Sequence, residues 1–178
     1  LGYFPSAQLL EKYQLAAPYA NLVKTMRVGD IHGYLMHLDT YFEYFYSHLS
    51  YLLLKERGLV LVWRCLLNKL YACKKNGRAD ASPTLGFEEC LKAFVFSSQD
   101  ESYDLNDMES ILVSLVSQGY IRGYIQHQRQ CIVLSKTNAF PPISNVRAHV
   151  EKYNEASVED HLKETQQTVP NEIMQLMS

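Results

Sequence analysis

The side chains with the most usable chemistry lie between residues 120 and 136. There Arg122, Arg129 and Lys136 are interleaved with Tyr120, Tyr124 and His127. Cations pair with phosphates and aromatic rings stack on unpaired bases, so this mixture suits single-stranded nucleic acid. It equally suits a protein surface with tyrosines packed on helices and arginines at the rim. Lys74, Lys75 and Arg78 form a second cationic cluster, which gains meaning only if the fold brings it beside the first.

The motifs of enzymes are missing. H-E-x-x-H, G-x-S-x-G, the P-loop and a Gly-rich phosphate turn do not occur. His32 and His37 are five residues apart, so a helix does not stack them as metal ligands. The adjacent Glu88 and Glu89 read as solvated. Cys65, Cys73, Cys90 and Cys131 form no C-x-x-C pair and read as small buried thiols of a reducing compartment. The expectation is a non-catalytic protein with no cofactor, no metal and no small-molecule substrate.

Charge restricts the partners further. The net charge is −2 over 178 residues, so the chain as a whole is not a basic nucleic-acid binder. The balance is uneven: residues 1–80 carry 10 Lys and Arg against 6 Asp and Glu, and residues 81–136 carry 4 against 7. The basic first part suits an acidic partner peptide. No apolar run reaches the roughly 20 residues that span a bilayer, so no membrane partner is expected. The chain opens at Leu1, directly in helical sequence, which reads as an internal boundary of a longer protein.

The elements that must position these residues are mostly helices. Ser6 caps a helix over 6–14, and a second over 17–28 ends at Gly29. Asp30 opens a long amphipathic helix whose core face is Ile31, Tyr34, Leu35, Leu38, Tyr41, Phe42, Phe45 and Leu49. Residues 50–75 read as a central helix with a stripe of Leu59, Trp63, Leu66, Leu67 and Leu70, bent or interrupted at Gly58. The breaker-rich KKNGRADASP at 74–83 marks the main boundary. The organisation is therefore a helical segment over 1–75, a loop over 76–85, a second subdomain over 86–136 and a tail over 137–178 with a polar helix near 145–166.

Within the second subdomain a short helix over 86–96 precedes one capped by Asp104, with Met108, Leu112 and Leu115 among its buried residues. Strands over 120–126 and 130–135 flank an HQR turn, and alternation puts Tyr120, Arg122, Tyr124 and Gln126 on one face. Helix, helix and hairpin is the order of a winged helix. The second helix would read a major groove in many such proteins. Its outward positions, Asn106, Asp107, Glu109, Ser110, Val113, Ser114, Ser117 and Gln118, include no cation and two acids, so phosphate is repelled. Partner packing fits that face better than duplex reading.

LLEKYQL near the start and GYIRGYIQHQRQCIVLSKTNAFPP at 119–142 resemble the PCI domain of proteasome-lid, signalosome and initiation-factor subunits. The branch nearest in pattern is the PCI subunit of the nuclear transcription-coupled mRNA-export complex, with its signalosome-associated relatives. The motif residues are Gly123, Tyr124, Ile125, His127, Gln128, Val133, Ser135, Lys136, Asn138, Phe140, Pro141 and Pro142. The resemblance implies a mainly α fold, with a right-handed TPR-like helical segment followed by a winged helix. It implies a nuclear scaffold subunit, at the nuclear pore, that binds a large PCI-containing export scaffold, a small acidic disordered subunit, and RNA or DNA without sequence specificity. The other reading is a signalosome-associated interaction subunit without nucleic-acid binding. Lys74, Lys75, Arg78, Arg122, Arg129 and Lys136 are the expected nucleic-acid contacts. Tyr120, Tyr124, His127, Gln128, Glu109 and Val113 are the expected partner contacts.

Overall fold

The computed structural model describes residues 3–77 and 83–146. Arg78 and the stretch after Val146, where the polar tail helix was expected, lie outside the described residues. Among the described residues the architecture is mainly helical with one small sheet.

The N-terminal helices follow their caps. α1 (Ala7–Lys12) starts where the Ser6 hydroxyl accepts from the Leu9 N–H at 3.2 Å. α2 (Ala16–Val28) ends at Gly29, whose φ of +75° is the left-handed conformation that glycine adopts without strain. Gly29 is also fixed by packing, because a Cβ there would lie 2.7 Å from the Leu66 backbone. Asp30 caps α3 (Ile31–Thr40) by accepting from the Gly33 N–H at 2.8 Å.

The long helix expected over 31–49 is two helices. α3 stops at Tyr41, and α4 (Phe42–Ser47) starts directly after it. The Thr40 hydroxyl donates to the Met36 carbonyl at 2.7 Å, a bond that draws helix carbonyls out of line and bends the chain. The break rotates the end of the expected core face into solvent. Tyr34 and Phe45 are fully buried, but Phe42 is 39% and Leu49 is 90% exposed.

The central helix is interrupted as Gly58 suggested. A single turn, α5 (Tyr51–Leu53), runs into a wide π-helical turn (Leu54–Gly58) and then α6 (Leu59–Gly77). The Tyr34 hydroxyl donates to the Leu54 carbonyl at 2.8 Å, where the widened turn begins. α6 contributes Val62 and Leu67, both fully buried, to one continuous core.

After residue 82 the chain makes a strand within the span expected to be a connecting loop. β1 (Thr84–Gly86) precedes α7 (Phe87–Ser98), α8 (Leu105–Ser117), β2 (Gly123–Gln126) and β3 (Cys131–Leu134). The sheet has three strands in the order β1-β3-β2, all antiparallel. Leu85, Ile132 and Ile125 are cross-strand neighbours on the core side, and Thr84, Val133 and Tyr124 on the other. The Asp104 cap is present: its carboxylate accepts from the Asn106 and Asp107 N–H groups, and Asp107 returns a bond to the Asp104 N–H.

Leu1–Val146 packs as one unit. Ser97, buried on α7, explains part of this: its hydroxyl donates to the Gly29 carbonyl at 2.7 Å and accepts from the Ile31 N–H at 2.9 Å. One α7 side chain thus satisfies the turn between α2 and α3. No helix among the described residues is long and apolar enough to cross a membrane.

Candidate interaction surface

The β2–β3 hairpin sorts its residues by face. Ile132 and Leu134 are buried and Ile125 packs against the core, while Tyr124 stands on the outer face, 57% exposed. The alternation expected from residue 120 does not extend that far, because pairing begins only at Gly123. Tyr120 is instead half-buried against the core, so it does not share a face with Tyr124. Arg122 is exposed just before β2, and Lys136 is exposed just after β3. They flank the base of the hairpin, where the Ser135 N–H donates to the Arg122 carbonyl at 2.8 Å.

His127, Gln128 and Arg129 form the turn at the opposite end, all exposed, as one 3-10 turn closed by Gln130 in the left-handed region. A four-residue strand spans about 13 Å, so Arg129 is separated from Arg122 and Lys136 by the hairpin's length. The fold does bring the other cationic cluster to that end: Lys74 and Arg129 line one shallow cleft, with Gly86, Glu89 and Cys131. Lys74 is not a free cation there. Its Nζ lies 2.7 Å from Glu89 Oε2 and 2.9 Å from Oε1. That bond, aided by the Gly86 N–H, holds the Glu89 carboxyl below the usual glutamate range against a smaller opposing effect of burial. Glu89 is therefore paired rather than simply solvated, and Lys74 is largely neutralised as a phosphate contact. Lys75, one residue on, is exposed.

The outer face of α8 carries the acids foreseen. Asn106, Glu109, Ser110 and Val113 line a shallow cleft along it, and Val113 is 48% exposed. Glu109 is committed to the hairpin, because His127 Nδ1 lies 2.8 Å from both of its carboxylate oxygens. The helix face and the hairpin turn, expected separately as partner contacts, are thus one connected surface.

Other titratable groups are structural. His37 is buried between α2 and α3, with Nε2 donating to the Pro18 carbonyl at 2.7 Å and Nδ1 3.3 Å from the Asn21 amide. Cys90 is buried, and burial pushes its thiol up to about 12, away from reactivity. Cys73 is exposed, contrary to the expectation of uniformly buried thiols.

Sequence reasoning missed two features. The first is Arg64, a buried arginine on α6; only its place in an apolar stretch hinted at a special role. The second is an exposed apolar face on α4 and α5, where Tyr46, Leu49, Leu52 and Leu53 are 61–90% exposed and Phe42 stacks on Tyr46 at 5.4 Å. Exposed apolar side chains so close together in sequence suit a contact surface. The cations Lys55 and Arg57 are exposed in the π-helical turn that follows directly.

Residues 80–136, spanning β1 to the end of the hairpin, match the family model of the PCI domain. The chain is similar to a PCI domain-containing protein of Schizosaccharomyces pombe, with 36% identity over 79% of this chain and 32% of that protein. It is similar to PCI domain-containing protein 2 of Xenopus laevis, with 32% identity over 82% of this chain and 34% of that protein. A homolog of the latter in Dictyostelium discoideum shares 31% identity over 79% of this chain and 30% of its own length. The chain spans about a third of the length of the curated relatives it matches.

Proposed function

We propose, from the premise that this chain belongs to the PCI-domain family, that it is a non-catalytic scaffold subunit of a nuclear, transcription-coupled mRNA-export complex. In this reading the helices before the loop are a TPR-like segment and the residues from β1 to β3 are a winged helix. The hairpin and α8 together face a large PCI-containing partner. The apolar face of α4 and α5, flanked by Lys55 and Arg57, takes the small acidic subunit: apolar side chains supply contact area, and the cations complement its charge. The complex works in the nucleus, at the nuclear pore.

The hairpin's outer surface carries the nucleic-acid part of the proposal. Tyr124 is exposed between Arg122 and Lys136 at one end and Arg129 at the other, so a single strand can stack on the ring while its phosphates meet the flanking cations. The signalosome reading, without nucleic acid, draws support from a specific feature: Lys74 is paired with Glu89, which leaves a sparse set of free cations.

The two readings separate in one titration. Binding of labelled oligo-U RNA to the full chain is followed by anisotropy over a range of salt, with Arg122, Arg129 and Lys136 changed singly and together to Glu. Each phosphate contact removed should lower the salt slope of log K by about 0.7. Unchanged affinity in the triple variant removes the hairpin from nucleic-acid binding. Co-purification completes the test: export-scaffold partners support the first reading, signalosome subunits the second.

A further inference from the structure

Arg64 is 8% exposed and belongs to the central helix of the N-terminal part. Among the described residues the ion pairs are Lys74–Glu89 and His127–Glu109, so no carboxylate neutralises it. Burial of a guanidinium is costly and pulls its pKa down. An apolar residue would fill this helix position at lower cost, and an ammonium is more strongly hydrated than a guanidinium, so the fork geometry of arginine needs a reason.

That reason lies in the acceptors. Nη2 donates to the Pro141 carbonyl at 2.6 Å and Nε donates to the Tyr120 carbonyl at 3.3 Å. These carbonyls sit on either side of the hairpin: Tyr120 before β2, Pro141 after β3. The guanidinium also lies 5.9 Å from the Phe140 ring centre, and Tyr71, two turns along the same helix, has its ring 6.1 Å from Phe140. The Arg122 N–H donates to the Ala139 carbonyl at 2.8 Å, which fastens the returning strand to the departing one inside the bracket. Both ends of the hairpin are thus gathered at a single side chain of α6.

We infer that Arg64 is the positioning residue of the hairpin, holding its two ends on α6 so that the exposed hairpin surface moves with the helical segment. A partner gripping the helices then sets the attitude of Tyr124, Arg122 and Lys136 without touching them. This inference rests on the reading of the hairpin as an interaction surface only for its functional consequence, not for the bracket itself.

Amide hydrogen exchange on the full chain tests it, with Arg64→Lys and Arg64→Met. The probes are the amides of Arg122 and Ser135, bonded to the Ala139 and Arg122 carbonyls at the hairpin base, and of Ile121, bonded to the Leu115 carbonyl where α8 leads into it, with α2 and α3 amides as reference. The expectation is exchange faster by about tenfold or more at the three probes in both variants, the scale of one lost hydrogen bond to a charged group, with the reference amides unmoved. Full protection in Arg64→Lys would show that a charge suffices and would overturn the role of the fork. Unchanged probes in both variants would overturn the inference altogether. Should either variant not fold, exchange of the unaltered protein in rising denaturant decides: the probes should open together with α6, and separate opening at low denaturant refutes the bracket. Oligo-U binding of the same variants keeps the two claims apart. Loosened probes with unchanged RNA affinity leave Arg64 in place and count against the hairpin as the RNA surface.

Discussion

Gly58→Ala should destabilise the protein far more than a glycine-to-alanine change in a helix ordinarily does, and Tyr34 should be the reason. Alanine normally gains about 1 kcal/mol over glycine in a helix. At Gly58 the added Cβ would sit 2.0 Å from Tyr34 Oη and 3.1 Å from Cζ. Tyr34 is fully buried, and its hydroxyl is held by the Leu54 carbonyl at 2.8 Å, so the ring cannot swing aside cheaply. Overpacking of this kind costs about 1–3 kcal/mol, and displacing the hydroxyl adds the loss of its bond, about 1 kcal/mol. The expected net loss is about 2 kcal/mol. Tyr34→Phe alone should cost about 1 kcal/mol by removing that bond. In the double variant the offending oxygen is gone, so the second change should add little, giving a coupling of about 1–2 kcal/mol. Urea denaturation of the four proteins measures this, read as shifts in midpoint at constant m. Additivity within about 0.5 kcal/mol would refute the link between the glycine and the tyrosine.

Two further outcomes follow from ties between the two halves. Ser97→Ala leaves the Gly29 carbonyl and the Ile31 N–H buried without their partner, and should lower stability by about 2–3 kcal/mol; a change under 0.5 kcal/mol in urea denaturation would show that neither bond matters. Glu89 has a depressed carboxyl pKa, caused first by the hydrogen bond from Lys74. A depressed acid contributes stability above its unfolded pKa and loses it as pH falls through the folded one. The tie should therefore act fully above about pH 4.3 and fade below it. An NMR titration of the Glu89 side chain should show a lowered midpoint that Lys74→Met restores; an ordinary midpoint in the unaltered protein would exclude the tie in solution.

Much of this fold was legible because its signals are local. Ser6, Asp30 and Asp104 cap the helices they were expected to cap, and Gly29 terminates α2, because caps depend on residues within one turn. The buried stripe Met108, Leu112 and Leu115 followed from period alone. β1 was missed because three residues show no alternation, and Gly86 with Pro83 resembles turn sequence. Periodicity puts Leu49 in the core because it assumes an unbroken axis, and no glycine or proline announces the stop at Tyr41. Arg64 and Lys74 were beyond local reading for a different reason. The partners of Arg64 are main-chain carbonyls 56 and 77 residues away, which leave no trace in side-chain pattern. The Lys74–Glu89 pair turned an expected phosphate contact into an internal one.

The order of strands has a consequence for how the protein is made. β3, the last strand among the described residues, is the centre of the sheet, and Gly86 at the end of β1 pairs with Cys131, 45 residues later. During synthesis from the N-terminus, β1 emerges without a partner, and β2 emerges without the strand that will separate it from β1. Contacts of such high sequence separation form slowly, and unpaired edges are exposed meanwhile. The sheet therefore closes only once Cys131–Leu134 has left the ribosome. A nascent chain halted before that point presents an open strand edge and an arginine whose carbonyl partner at Pro141 does not yet exist, the state that chaperones would be called on to hold.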